Sequence, residues 1–398
     1  MISTVYIAKN VYGGDGLGRL GDGRVVFVPG AWAGEQVKAE IVEEKKHFVK
    51  AVLKEVVEAS PHRITPAPSV PGMVYSGLAY PAELDAKEQQ LREFFERTRI
   101  ALPESGIERL NPDPKPTNYR NKVVYHFAKY GDKWRIGYRT EPSHEIIDVT
   151  EDPLARPEIN QALGGIRQAV LSLLTTGPIN VRKDTERKAN LTIRWTKKSG
   201  VKWYLGEAPK DLSLKETTCG LDFEVPAGGF YQVNPEVGEA LVKDVTSAIH
   251  GSPRILDLYC GVGVFGLSAL KANPTASLIG IESGRQAIDF AKRNASSQKA
   301  ANAKFFAEEV GRNLRRIPIG AETTVIIDPP RDGLERGVAQ WLSASRAPKI
   351  IYVSCDPATL MRDLRSLTPT YRVSQVKWYN MFPRTARFET CVVLTRTV

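Results

Sequence analysis

Between Ile255 and Glu282 the chain carries the pattern that most narrows its choice of fold. The apolar run Ile255 to Leu258 is followed by Gly261, Gly263 and Gly266, a literal GxGxxG that opens a helical stretch. The next apolar run ends on Glu282, 21 positions beyond Gly261. Glycines at this spacing permit a tight turn and close approach of backbone to a nucleoside, and an acid closing the second strand can hold a ribose diol. The runs in ILDLYCGVGVFGLSALKA, SLIGIESGRQAIDFAKRNA, TVIIDPPRDGL and KIIYVSCDPATLMRDL alternate with helical stretches, which predicts a doubly wound α/β domain over residues 226–398. Ahead of them, Asn234 and Pro235 are placed as the cap and first residue of a helix with Val237, Leu241 and Val245 facing inward.

Residues 1–60 have a different texture. Short β-branched runs broken by GGDGLG, GDG and PGAWAGE predict a small β-barrel. A proline-bearing linker, Ser60 to Pro71, leads into a mixed central domain over residues 70–225. There, Glu83 to Arg99 reads as a helix with Leu84, Leu91, Phe94 and Phe95 on one face. Lys and Arg outnumber Asp and Glu by 55 to 45, and the excess gathers in this domain: seven against two over residues 111–140, and ten against four over 181–215. Tyr119, Tyr125, Trp134, Trp195, Trp203 and Tyr204 interleave with these cations. Such a mixture suits phosphate neutralisation with base stacking, so RNA is the expected partner and no protein partner is implied. Hydrophobic residues at 42% exclude a mainly disordered chain. No run of about 18 apolar residues and no signal-like N-terminus is present, so a cytoplasmic protein without membrane contact is expected.

Which nucleoside cofactor the glycine turn serves is decided downstream. Asp328-Pro329-Pro330-Arg331 and Ser354-Cys355-Asp356-Pro357 follow two successive apolar runs. Rigid turns at successive strand ends suit a pocket around a sulfonium, and a nicotinamide enzyme needs neither. Arg331 at the fourth place, where an aromatic would suit attack by an amine, favours methylation at carbon with covalent assistance. Carbon 5 of uracil becomes nucleophilic once a thiolate adds at carbon 6. Cys355 is the candidate nucleophile; the helix expected over Ala358 to Leu367, together with Arg331, predicts a pKa lowered towards the thiolate, against the opposing charge of Asp356. Glu389, where a loop enters the last strand, is the candidate base for the carbon 5 proton. Cys391 and Cys219 are expected in the core.

These residues, in this order, resemble the RNA uracil-5-methyltransferase family, which uses S-adenosyl-L-methionine to make 5-methyluridine in tRNA or rRNA. FYQVNP, DLYCGVG, GIES, VIIDPPRDG, YVSCDPATLMRDL and FPRTARFE carry the resemblance, and residues 1–57 are similar to the RNA-binding TRAM barrel. The resemblance implies a Rossmann-like class I methyltransferase domain. It implies Cys355 as nucleophile, Glu389 as base, and Gln232, Tyr259, Glu282 and Asp328 against the cofactor or the target base. Glu309 falls where the family often places an adenine contact. Many members also hold an iron–sulfur cluster on four cysteines; the corresponding stretches here have none, so no cluster is expected, and packing around Val70, Met73, Tyr75 and Leu78 takes its place. A cytosine-5 RNA methyltransferase and a catalytically silent RNA-binding module are the alternatives.

Overall fold

The glycine-punctuated N-terminal runs pair into a closed barrel in this computed structural model, which describes residues 1–66, 68–112, 115–140, 143–176, 190–312, 317 and 319–397. Its strands, β1 (Ile2–Asn10), β2 (Gly16–Arg19), β3 (Val25–Val28), β4 (Gln36–Glu44) and β5 (Phe48–Glu58), follow the order β1-β2-β3-β5-β4, with β4 returning to β1. Alternation turns Val5, Ile7, Val26, Val37, Val49 and Ala51 into the barrel core. Gly18 is needed there because a Cβ would lie 2.5 Å from the Tyr6 carbonyl oxygen.

The chain forms two compact units, residues 1–97 with 382–388, and residues 98–381 with 389–398. In the first, α1 (Tyr80–Thr98) buries Leu84, Leu91 and Phe95 as its periodicity predicts, while Phe94 is half-buried. It also buries Glu83 and Lys87, joined at 2.8 Å, and Glu83 accepts the Arg384 backbone N–H at 2.8 Å. Glu35, fully buried, takes two contacts from the Arg63 guanidinium at 2.5 and 2.6 Å. Val70, Met73, Tyr75 and Leu78 are buried, and Tyr75 and Leu78 pack with Trp32.

The second unit contains β6 (Ile107–Leu110), then β7 (Lys122–Tyr130), β8 (Lys133–Arg139), β9 (Ile146–Asp148), α2 (Pro157–Thr176), β10 (Asn190–Thr196) and β11 (Gly200–Leu205). Strands β11-β10-β7-β8-β9 make an antiparallel sheet. Two of the aromatics expected to stack on bases are core residues instead. Tyr119 and Tyr125 are buried, and the Tyr125 hydroxyl donates to Asp152 at 3.1 Å. The basic stretch over residues 181–189 lies outside the described residues.

A hairpin of β12 (Ser213–Thr218) and β13 (Leu221–Pro226) precedes the remaining elements: α3 (Pro235–Ile249), β14 (Arg254–Leu258), α4 (Val264–Ala272), β15 (Ser277–Glu282), α5 (Arg285–Ser297), β16 (Ala303–Ala307), β17 (Thr323–Ile327), α6 (Val338–Ala344), β18 (Lys349–Ser354), α7 (Pro357–Leu367), β19 (Tyr371–Tyr379) and β20 (Glu389–Arg396). Asn234 caps α3 by accepting the Val237 N–H, with Pro235 next and Val237, Leu241 and Val245 buried. The four expected runs are β14, β15, β17 and β18 within an eight-stranded sheet, order β16-β15-β14-β17-β18-β20-β19-β6. Strands β14 to β18 run parallel, β20 is antiparallel, and β6 pairs parallel with β19 at one edge. Parallel strands buried on both faces read as continuous apolar runs, so these were the ones visible in the sequence.

Candidate active site

Register alone brings three of the candidate residues together. Ile327 on β17 pairs with Tyr352 on β18, so Asp328 and Cys355 both follow the carboxyl ends of adjacent strands. Ser354 pairs with Thr390 on β20, so the next position sets Cys355 beside Glu389. The turn after β17 is braced to the helix after Cys355: Asp363 on α7 accepts the Leu334 N–H at 2.8 Å and the Tyr352 hydroxyl at 2.6 Å. Asp356 caps α7, accepting the Ala358 N–H at 2.9 Å.

The electrostatics of this end of the sheet are unusual because buried acids face acids. Burial raises the Glu389 carboxyl well above the ordinary range, Asp328 adds to the rise, and Arg331 opposes it. Burial, with Glu282 adding, pushes Asp328 up to about 7. Burial also drives the half-buried Cys355 thiol up to about 12; Glu389 and Asp328 reinforce it, and Arg331 pulls the other way. The expected thiolate is therefore not the resting state. The helix end and one exposed guanidinium are outweighed by desolvation and by the carboxyls of Glu389, Asp328 and Asp356.

Beside this group lies an open cavity lined by Gln232, Tyr259, Gly261, Val264 and Asp328 from the sequence reading, and by Thr218, Phe230 and Tyr231, which that reading missed. The glycine turn is left-handed at Tyr259 (φ 62°), Gly261 (φ 54°) and Gly263 (φ 87°). At Gly263 a Cβ would meet the Phe305 ring at 3.1 Å, so the bare backbone keeps the turn tight against the sheet. A mostly apolar cradle with exposed backbone and a few polar groups fits an adenosine-bearing cofactor. Glu282 closes β15, where its Oε1 accepts the Gly284 N–H at 2.8 Å. Glu309 is exposed and pairs with Arg312 at 2.5 Å; like Gly263 and Glu282, it is not among the residues lining the cavity.

Asp257, inside β14, was also missed. Its Oδ2 accepts the Gly266 N–H at 2.9 Å, and burial pushes the carboxyl up to about 8. The signal was available, since an acid inside the run ILDL has no solvent to face. Cys391 is buried in β20 as expected. Cys219 is not core: it is half-buried at a turn with φ 52° between β12 and β13. Among the described residues, no group of three or more His, Cys, Asp or Glu side chains is arranged to hold a metal ion, and no helix is long and apolar enough to cross a membrane.

A strand order with β20 inserted antiparallel, and a glycine-turn cavity at the carboxyl ends of its parallel strands, defines a class I methyltransferase domain. Comparison with known proteins carries this further. A family model described as tRNA (Uracil-5-)-methyltransferase matches residues 199–397, and one described as TRAM domain matches residues 4–54. The chain belongs to the tRNA (uracil-5-)-methyltransferase family, whose members methylate RNA with S-adenosyl-L-methionine. An uncharacterized RNA methyltransferase of Thermosynechococcus vestitus is 29% identical to it over 433 residues, covering 96% of this chain and 95% of its own length. Another, of Thermotoga maritima, is 28% identical and covers 100% of this chain and 99% of its own. The tRNA (uracil-54, C5)-methyltransferase of Pyrococcus abyssi, solved with S-adenosyl-L-homocysteine, has a similar fold: TM-score 0.77 at 24% identity, over 98% of this chain and 100% of that one.

Proposed function

We propose that this protein methylates carbon 5 of a uridine in structured RNA through a covalent bond between the Cys355 sulfur and carbon 6 of the base. In this reading residues 1–60 and 70–225 hold the RNA, residues 226–398 perform the chemistry, and the target uridine is turned out of its helix to reach them. Gln232, Tyr259, Gly261 and Asp328 line the cofactor and base site; Gly263 keeps its turn tight, Glu282 closes the neighbouring strand, and Glu309 would have to leave Arg312 to reach an adenine. S-adenosyl-L-methionine supplies an electrophilic methyl group.

The Cys355 thiol loses its proton to solvent, its sulfur bonds to carbon 6, and the ring electrons move to make carbon 5 nucleophilic. Carbon 5 takes the methyl group. Glu389, once its own proton has left for solvent, removes the carbon 5 proton, the sulfur–carbon bond breaks, and the ring double bond returns. The observation that supports this most strongly is the register that sets Cys355 beside Glu389 with Asp328 one strand away.

RNA containing 5-fluorouridine tests the chemistry, because fluorine cannot leave as a cation and the adduct is trapped. A denaturant-resistant complex that vanishes in Cys355→Ala is expected. Trapping by 5-fluorocytidine RNA instead would assign a cytosine enzyme, and no methyl transfer to any cellular RNA would leave an RNA-binding module. Mapping of 5-methyluridine in tRNA and in rRNA from cells with and without the protein identifies the target uridine.

A further inference from the structure

Part of the cavity wall is an irregular stretch, residues 227–234, between β13 and α3. It carries Phe230, Tyr231 and Gln232 to the cavity. Phe230 is 72% exposed, so packing of its own ring does not fix the loop. Gly229 turns tightly on itself, its N–H bonding the Pro226 carbonyl at 2.8 Å, and a Cβ there would lie 2.6 Å from the Pro226 ring. The loop is held from beneath by the central sheet. Arg194 on β10, 1% exposed, donates from one guanidinium nitrogen to the Gly229 carbonyl at 3.2 Å. Tyr204 on β11 donates its hydroxyl to the Ala227 carbonyl at 3.3 Å, and the Thr218 and Tyr231 hydroxyls are bonded to each other. Asn121 donates its side-chain amide to the Gln232 carbonyl at 3.3 Å.

Arg194 also meets Glu216 of β12, but that contact is a single one at 3.4 Å, and its Nε is buried with no hydrogen-bond partner. Arg–carboxylate pairs are frequently bidentate, with two parallel contacts. This one is divided between a carboxyl and a loop carbonyl.

We propose that Arg194 is a positioning residue that latches the loop of residues 227–234, so that Phe230 and Gln232 stand as a wall of the cofactor cavity. The state of Glu216 supports this division. Burial raises its carboxyl to about 7 against the pull of Arg194 and Arg156, so near neutral pH the carbonyl, rather than a full negative charge, is the constant partner of the guanidinium. The other groups facing the pair are Lys122 on β7, Tyr204 on β11 and Tyr231 in the loop.

This proposal rests on the cavity being the cofactor's site, and the experiment separates the two. Binding of S-adenosylhomocysteine to the full chain is measured by calorimetry, beside turnover. Arg194→Gln is expected to weaken binding at least about tenfold, the scale of a lost charged hydrogen bond. In turnover it raises KM for S-adenosylmethionine while kcat at saturation holds. The double variant Arg194→Met/Glu216→Leu removes the charge pair without leaving an unpaired ion, so it folds normally; it is expected to bind as weakly as the single variant. Tyr204→Phe shifts binding in the same direction by a smaller factor. Parent-like affinity in the double variant overturns the latch. Failure of the parent itself to bind S-adenosylhomocysteine overturns the assignment of the cavity.

Discussion

Buried charge is arranged in opposite ways in the N-terminal unit and at the carboxyl ends of the eight-stranded sheet. In the N-terminal unit, Glu35 lies on Arg63, and Glu83 lies on Lys87 and Arg384. At the carboxyl ends of the eight-stranded sheet, Asp257, Asp328 and Glu389 are raised by burial and by one another's neighbourhood, with Arg331 as the opposing cation for Glu389. Paired charges hold a structure in one geometry. Crowded acids cost stability and persist where proton transfer or charge recognition is needed.

The contrast is sharpest in Glu389→Gln. Loss of the proposed base is expected to lower turnover about 10²- to 10⁴-fold and to let the proposed covalent RNA adduct accumulate, while the unfolding midpoint in urea stays level or rises. A large loss of stability instead would make Glu389 a structural residue. The converse variant, Lys87→Met, leaves Glu83 buried without its nearest cation and is expected to cost about 3–5 kcal/mol in the same urea titration, most of it recovered in Glu83→Leu/Lys87→Met. A negligible cost would erase the difference between the two regions.

A smaller effect is expected from Asp257→Asn. Because the folded pKa is raised to about 8, the wild-type carboxyl favours the folded state most below its ordinary pKa, and that contribution disappears as pH rises through about 8. The variant lacks this loss, so its unfolding free energy from urea titrations should gain on the wild type with rising pH, by an amount on the order of a few kcal/mol above pH 8. Parallel curves for the two proteins would show that Asp257 titrates normally. Glu309→Ala should change least: stability within about 0.5 kcal/mol, as for an exposed ion pair, and a loss of S-adenosylhomocysteine affinity of about threefold if the side chain reaches the adenine.

The sequence made the site more legible than its energetics. Gly261, Gly263, Asp328 and Cys355 could be placed because parallel strands are continuous apolar runs whose ends are easily found. Strands β16 and β6 escaped because they are short edge elements with exposed alternate residues. The direction of the Cys355 pKa escaped for another reason. Helix ends and nearby cations can be read along a chain, whereas desolvation and the approach of Glu389 from a different strand depend on tertiary packing. Arg194 lay hidden in the same way: in the run NLTIRWT it reads as one more cation of a basic surface, and only the sheet beneath the loop turns it inward.

Strand β6 lies more than a hundred residues ahead of the chain that forms the rest of its sheet, yet it covers the outer margin of β19 through Ile107 to Leu110. A fragment trimmed to begin near residue 226 would bare the backbone donors and acceptors of β19 and invite self-association. Residues 226–398 are thus not a detachable cassette: one edge strand of their sheet is made before them, and excision must keep that early piece to remain monodisperse.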